Sequence, residues 1–125
     1  MSKTMILWDK LSHTYDAFKK KKVSVVIEHQ LTLPQYHVLE YLHYKGPTAL
    51  KKMATELLVT PANVTCVVDN LERMELVVRV SDEYDRRVFR AKLTAKGKKK
   101  IGKILPEQQK EIETLANLLS DDEQK

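Results

Sequence analysis

Apolar residues recur at helical spacing over most of the chain, and the period switches to two only between residues 76 and 93. Leu7, Leu11, Phe18, Val25 and Val26, with Trp8 and Tyr15 alongside, predict a long helix over residues 3–29. Lys19–Lys22 form a basic collar in it where a bend is expected. The stripe is wide for a helix on a small domain, so part of it is free to face a partner subunit. Thr32-Leu33-Pro34-Gln35 reads as a capping box, with Leu31 and Tyr36 as the hydrophobic staple around it. A second helix follows through Val38, Leu39 and Leu42 and stops at Gly46-Pro47. Thr48 is expected to cap a short third helix carrying Leu50, Met53, Ala54 and Leu57.

Leu58-Val59-Thr60 is then a tight turn into the stretch around which the chain is organised. Thr60 before Pro61 supplies an N-cap hydroxyl and the one helical position where proline is harmless. Val64, Val67, Val68 and Leu71 make an apolar stripe, while Ala62, Asn63, Cys66, Asp69, Asn70 and Arg73 are assigned to the opposite side. A helix that enters a DNA groove needs such short outer side chains, because bulk there would hold the backbone off the base edges. An ordinary amphipathic surface helix would share the stripe but has no need of the turn before it. Short helix, tight turn and slim second helix together form a helix-turn-helix.

After Met74 the pattern becomes extended. Leu76–Val80 is β-branched and apolar, and Phe89, Ala91 and Leu93 alternate with Val88, Arg90 and Lys92. The polar run from Ser81 to Arg87 between them is a hairpin tip. A β-ribbon with arginines at its tip, directly after a recognition helix, is a wing. Thr94 caps a further helix, expected to be interrupted at Pro106 and to resume through Ile112, Leu115, Leu118 and Leu119. The fold class is mainly α with a small β-hairpin wing: a winged helix-turn-helix between long terminal helices.

Charge sharpens this picture. The 125 residues carry 22 Lys+Arg and 17 Asp+Glu, a net charge of +5. From Arg86 to Leu105 there are nine cations and no acid, whereas the chain from Glu107 onward is acidic on balance. That asymmetry suits a polyanionic partner, although a solvated lysine-rich helix face explains Lys96–Lys103 equally well. One cysteine excludes an internal disulfide, and no stretch has the roughly 20 apolar residues of a membrane span. Residues 1–10 lack a signal-peptide core, so a cytoplasmic protein without a membrane partner is expected.

The series Leu31-Thr32, Gln35, Val38-Leu39, Thr60–Thr65, Val68–Glu72, Leu76-Val77, Arg79, Asp85-Arg86-Arg87 and Leu93-Thr94 with Gly97 resembles the MarR family of bacterial winged helix-turn-helix transcription regulators. The likeness spans roughly residues 5–119, and its most specific parts are Asp-Arg-Arg and the Leu-Thr-x-x-Gly after it. It implies a homodimer bound to double-stranded DNA, with recognition helices in successive major grooves and wings in adjacent minor grooves. It implies dimerisation segments at 1–30 and 95–125 flanking a DNA-binding region at 31–94, integrated into a single domain. Thr60, Asn63 and Thr65 match positions that approach phosphates or base edges. Arg87 matches the arginine that enters the minor groove, and Asp85 the carboxylate that holds it. Arg86 is basic beside them, and Arg79 matches a position often ion-paired. The full candidate interface is Thr60, Ala62, Asn63, Thr65, Cys66, Asn70, Arg73, Asp85, Arg86 and Arg87.

Three departures carry expectations of their own. Leu58 and Glu75 stand where the family has a small residue and a glycine, so both turns are expected to close differently. Ser120-Asp121-Asp122-Glu123 looks like the capping box of a further helix, cut short at Lys125. The dimer is therefore expected to rest on the first helix and on residues 95–119.

Candidate signal sites are few. Cys66 on the outward face of the recognition helix admits redox control, against the plainer reading of a small residue tolerated near a base edge. Trp8, Tyr15, Phe18 and Tyr36 are candidates to line a pocket for a small aromatic effector, the alternative being core packing. Histidines 13, 29, 37 and 43 invite a metal reading, and the resemblance implies a place near Tyr36 and His37 for a zinc ligand with further ligands on the fifth helix; residues 95–105 contain no His, Cys, Asp or Glu, so none is assigned. No phosphate-binding glycine loop or nucleophile elbow is present, so no catalytic residue, cofactor or enzyme activity is expected. A regulator, most simply a repressor, is the reading; a winged-helix protein-interaction module with an incidental basic face is the alternative.

Overall fold

Among the described residues, threonine hydroxyls set three of five helix starts. The structure is a computed structural model describing the backbone of residues 2–123 and the side chains of residues 2–114, 116 and 117. The chain forms α1 (Lys3–Glu28), α2 (Leu33–Lys45), β1 (Thr48–Ala49), α3 (Leu50–Leu57), α4 (Pro61–Arg73), β2 (Val77–Ser81), β3 (Phe89–Leu93) and α5 (Ala95–Glu123). Thr32 and Gln35 form the complete capping box of α2. Thr60 Oγ1 accepts the Asn63 N–H at 3.1 Å to start α4, and Thr94 Oγ1 accepts the Gly97 N–H at 2.9 Å to start α5.

The chain divides into two compact units, Leu31–Lys103 and a second made of the residues through Gln30 with those from Ile104 on. The division falls inside α5, so the first turns of that helix belong with the winged unit. In the winged unit, Tyr36, Val38, Leu39, Leu42, Met53, Val64, Val68, Leu71, Leu76, Val77, Ala91 and Ile101 are buried. Three antiparallel strands in the order β1-β3-β2 close one side. In the other unit Val26 and Ile104 are buried, Gln108 Nε2 donates to the Lys22 carbonyl at 3.1 Å, and His29 Nε2 lies 2.9 Å from Glu107 Oε2.

Several expectations are corrected. Thr48 does not cap α3: it pairs with Ala91 in the sheet and gives its hydroxyl to the Gly46 carbonyl, and Ala49 stands at the N-cap without a side-chain bond. α1 runs unbroken through Lys19–Lys22. α5 runs unbroken through Pro106, whose missing N–H removes only one helical hydrogen bond. Ser120–Glu123 continue α5 rather than opening a further helix. Gln124 and Lys125, and the side chains of Leu115, Leu118 and Leu119, lie outside the described residues.

Leu58 and Glu75 do not close their turns differently; both adopt the left-handed conformation, at φ 58° and 64°. At the end of α4 the Leu76 N–H reaches the Leu71 carbonyl and the Glu75 N–H the Glu72 carbonyl, a Schellman arrangement with glutamate at the glycine position. At the end of α3 the Val59 N–H reaches the Ala54 carbonyl in the same way. The turn after α4 also receives α5: Thr94 N–H donates to Leu76 O at 3.0 Å and Thr94 Oγ1 donates to Glu75 O at 2.7 Å. Gly97 sits so close to this turn that a Cβ would lie 2.0 Å from Leu76 O.

Two substitutions should therefore shift stability in opposite directions. Gly97→Ala forces the α5 start away from Leu76 and should destabilise by about 2 kcal/mol. Leu58 is 91% exposed, so Leu58→Gly relieves backbone strain with little loss of burial and should stabilise by about 0.5–1 kcal/mol. Urea denaturation of both variants checks this; a neutral Gly97→Ala or a destabilised Leu58→Gly would contradict it.

Candidate nucleic-acid interface

The sequence of α4 separates a buried stripe from an open one. Val64, Val68 and Leu71 are buried, while Ala62, Asn63, Thr65, Cys66 and Arg73 are exposed and Asn70 is partly so. Ala62, Cys66, Asn70 and Arg73 follow at intervals of four, four and three, one continuous ridge of short side chains closed by a cation. Thr60 accepts from Asn63 and keeps its own hydroxyl hydrogen for an external acceptor. Thr65 gives its hydroxyl hydrogen to the Pro61 carbonyl at 3.0 Å, leaving its methyl group and lone pairs outward. Asn70 Oδ1 accepts from Arg73 Nη1 at 3.0 Å.

Asp69 does not belong to this open ridge. Its Oδ1 lies 2.5 Å from Arg79 Nη2, and Glu72 Oε1 lies 2.7 Å from Arg79 Nη1. The Arg79 backbone N–H also donates to Glu72 Oε2, and Nη2 reaches the Thr65 carbonyl at 3.4 Å. Arg79 is thus the ion-paired bridge from β2 to α4, 20% exposed, and its charge is spent inside the protein rather than offered to DNA. The pairing also offsets part of the negative charge of two carboxylates that would otherwise repel a polyanion beside the helix.

The hairpin places Arg79 opposite Ala91, and Val80 opposite Arg90. Its tip carries Arg86 and Arg87, both exposed. The Arg87 side chain is 90% exposed and has one partner: Asp85 Oδ1 accepts its Nε at 3.1 Å and its backbone N–H at 3.0 Å. The Arg87 guanidinium, and then its amide, hold the Asp85 carboxyl below the usual carboxylate range. The candidate residues thus form two groups in one unit, an open helix face and a tethered arginine, with Arg79 joining their elements.

Sequence reasoning missed Asp82. Its Oδ2 accepts the N–H groups of both Tyr84 and Asp85 at 3.1 Å, and its Oδ1 lies 2.9 Å from Arg90 Nε. The signal was available, since an aspartate opening a polar tip commonly bonds the amide two residues on.

Of the aromatic candidates, Trp8, Tyr15 and Phe18 belong to one unit and Tyr36 to the other. Trp8 and Tyr15 are each 65% exposed on α1, so core packing within the chain does not explain them. Phe18 is half-buried in the same unit. Tyr36 lies in the core of the winged unit, where burial and a hydrogen bond to Glu40 push its phenol far above its usual range. Among the described residues no group of three or more His, Cys, Asp or Glu could hold a metal ion, and no helix is long and apolar enough to cross a membrane.

Comparison with known proteins bears on this geometry directly. Residues 31–89 match the sequence model of the MarR family, and the chain is 32% identical over 121 residues to the HTH-type transcriptional regulator MhqR of Bacillus subtilis, covering 97% of this chain and 83% of that one. The chain belongs to the MarR family. A solved MarR family protein from Bacillus stearothermophilus shares 26% identity and superposes with a TM-score of 0.79, over 95% of this chain and 82% of that one. AbsC, a MarR family transcriptional regulator from Streptomyces coelicolor, is 20% identical with a TM-score of 0.83, covering 95% and 82%, a likeness of fold. The mostly helical winged helix-turn-helix is therefore the MarR fold, and membership carries its coarse function, DNA-binding transcription regulation.

The wing tether has a pH signature. Because Asp85 is lowered when paired, its contribution to tip order is present above the ordinary aspartate pKa of about 3.9 and is lost as pH falls through the folded value. An NMR titration of the Asp85 carboxyl should give a midpoint below that of a free aspartate, returning toward it in Arg87→Ala. An unchanged midpoint in the variant would contradict the pairing.

Proposed function

We propose that this MarR-family chain acts as a homodimeric, sequence-specific regulator, most simply a repressor, on a pseudo-palindromic operator in the cytoplasm. The observation that carries the reading is the low-profile exposed face of α4 beside a wing whose arginine is held by a single carboxylate. The Thr60 hydroxyl and the Ala62 N–H at the start of α4 meet phosphate oxygens. Ala62, Asn63, Thr65, Cys66, Asn70 and Arg73 lie along the major groove, with Thr65 offering a methyl group suited to thymine. Arg87 enters the minor groove, whose negative potential suits a guanidinium, Asp85 limits the rotamers it must give up on binding, and Arg86 meets the backbone.

Dimerisation falls to the segments 1–30 and 95–125, flanking DNA-binding residues 31–94. Supporting this, Met5, Leu7, Trp8, Leu11 and Tyr15 are all more than half exposed on α1, an apolar load that a second copy would cover. Two-fold symmetry then sets half-sites about one helical turn apart. A small aromatic effector against Trp8, Tyr15 or Phe18, or oxidation at exposed Cys66, would regulate only by binding or altering one dimer geometry in preference to another.

Affinity for a duplex enriched by the protein from a random-sequence pool tests the reading. Log affinity should fall linearly with log salt, with a slope of about −0.9 for each phosphate neutralised, and Arg87→Ala should weaken binding by about 1–3 kcal/mol at physiological salt. A flat salt response would favour a protein-interaction module instead, and an unaffected Arg87→Ala would remove the wing from the interface.

A further inference from the structure

We propose that Asp82 is the positioning residue of the wing: it sets the backbone that presents Asp85, and through Asp85 the Arg87 guanidinium, to a duplex groove. The inference rests on the reading of Arg87 as a groove contact.

The tip is built as two carboxylate clasps in series. Asp82 Oδ2 accepts the N–H groups of Tyr84 and Asp85 at 3.1 Å, while Oδ1 is anchored 2.9 Å from Arg90 Nε on β3. The Asp82 N–H donates to the Val88 carbonyl at 2.9 Å, and the Val88 N–H to the Asp85 carbonyl at 3.0 Å. Asp85 in turn holds the amide and Nε of Arg87. Asp82 is 15% exposed and Arg87 90%. The inner clasp is thus packed into the hairpin while the outer one carries a nearly naked cation. A tip ordered before binding has less freedom to lose when the groove closes on it.

Charge and positioning predict opposite signs at this residue, which makes the inference decidable. Removing Asp82 raises the net charge from +5 to +6 and releases Arg90 from its partner. By charge alone, DNA should then be bound more tightly. If the carboxylate positions the wing, its removal weakens binding despite the added positive charge.

The test is equilibrium binding at about 0.15 M salt to a duplex enriched from a random pool by wild-type protein. The variants are Asp82→Ala, Asp82→Asn, Asp82→Glu, Arg87→Ala and the double variant of Asp82→Ala with Arg87→Ala. Asp82→Ala should bind roughly threefold to tenfold more weakly. Asp82→Asn keeps an oxygen for the two amides and should stay within about twofold of wild type. Asp82→Glu keeps the charge but displaces the acceptor by one methylene, and should weaken like Asp82→Ala; it also serves should Asp82→Ala melt early. In the Arg87→Ala background Asp82→Ala should bring no further loss, because the residue acts through Arg87. Wild-type or tighter binding by Asp82→Ala or Asp82→Glu overturns the inference while leaving the DNA reading intact. An equal loss in the Arg87→Ala background overturns it too, marking a merely structural role. Failure of wild-type protein to enrich any duplex removes both readings.

Discussion

The bridge made by Arg79 is the constraint on which the winged unit depends. One guanidinium on β2 reaches two carboxylates one helical turn apart on α4, and Glu72 also takes the Arg79 amide. The Arg79 side chain is 20% exposed while Asp69 and Glu72 stay partly open to solvent, so the guanidinium is better shielded than in a fully exposed ion pair, whose worth is about 0–1 kcal/mol. Removing Arg79 would leave two carboxylates one turn apart on α4, like charges that repel. The spacing of helix and hairpin is therefore fixed by an ion-paired bridge whose guanidinium is mostly shielded. The side chains that do face outward, on the open ridge of α4 and at the wing tip, inherit their relative placement from it.

A second joint lies in the turn just past the C-terminal end of α4. Glu75 accepts a left-handed backbone so that Leu71 and Leu76 are both buried across the turn, and Thr94 and Gly97 bring α5 down on the carbonyls of that turn. The strain at Glu75 is tolerated because hydrogen bonds from two sides determine it. Leu58 has the same conformation, closed by the capping bonds at the end of α3, with its side chain 91% exposed.

Local signals were the legible ones. The Thr32 capping box, the Thr60-Pro61 start, the alternation at 88–93 and the Asp85–Arg87 pairing each involve residues within a few positions, and the structure contains all of them. What needed distant partners was not legible. β1 is two residues long and exists only because β3 lies beside it, so Thr48 read as a cap. Helical position alone put Asp69 on the open face, since nothing nearby announces that Arg79, ten residues on, will draw it aside. Leu58 and Glu75 read as misfits because their side chains disfavour a positive φ, whereas the surrounding hydrogen bonds impose it. Of the candidate interface, the helix ridge and the wing arginines were legible, but the carboxylate that orders the tip was not.

Backbone amide shifts of labelled protein, titrated with its enriched duplex, test the central claim most directly: that the α4 ridge and the wing tip form one surface shaped for DNA. The account predicts the largest shifts over residues 60–73 and 82–88 together, with Val78 and Lys92 on the far face of the sheet little affected. Shifts confined to α1, or a response at the wing without one along α4, would contradict it.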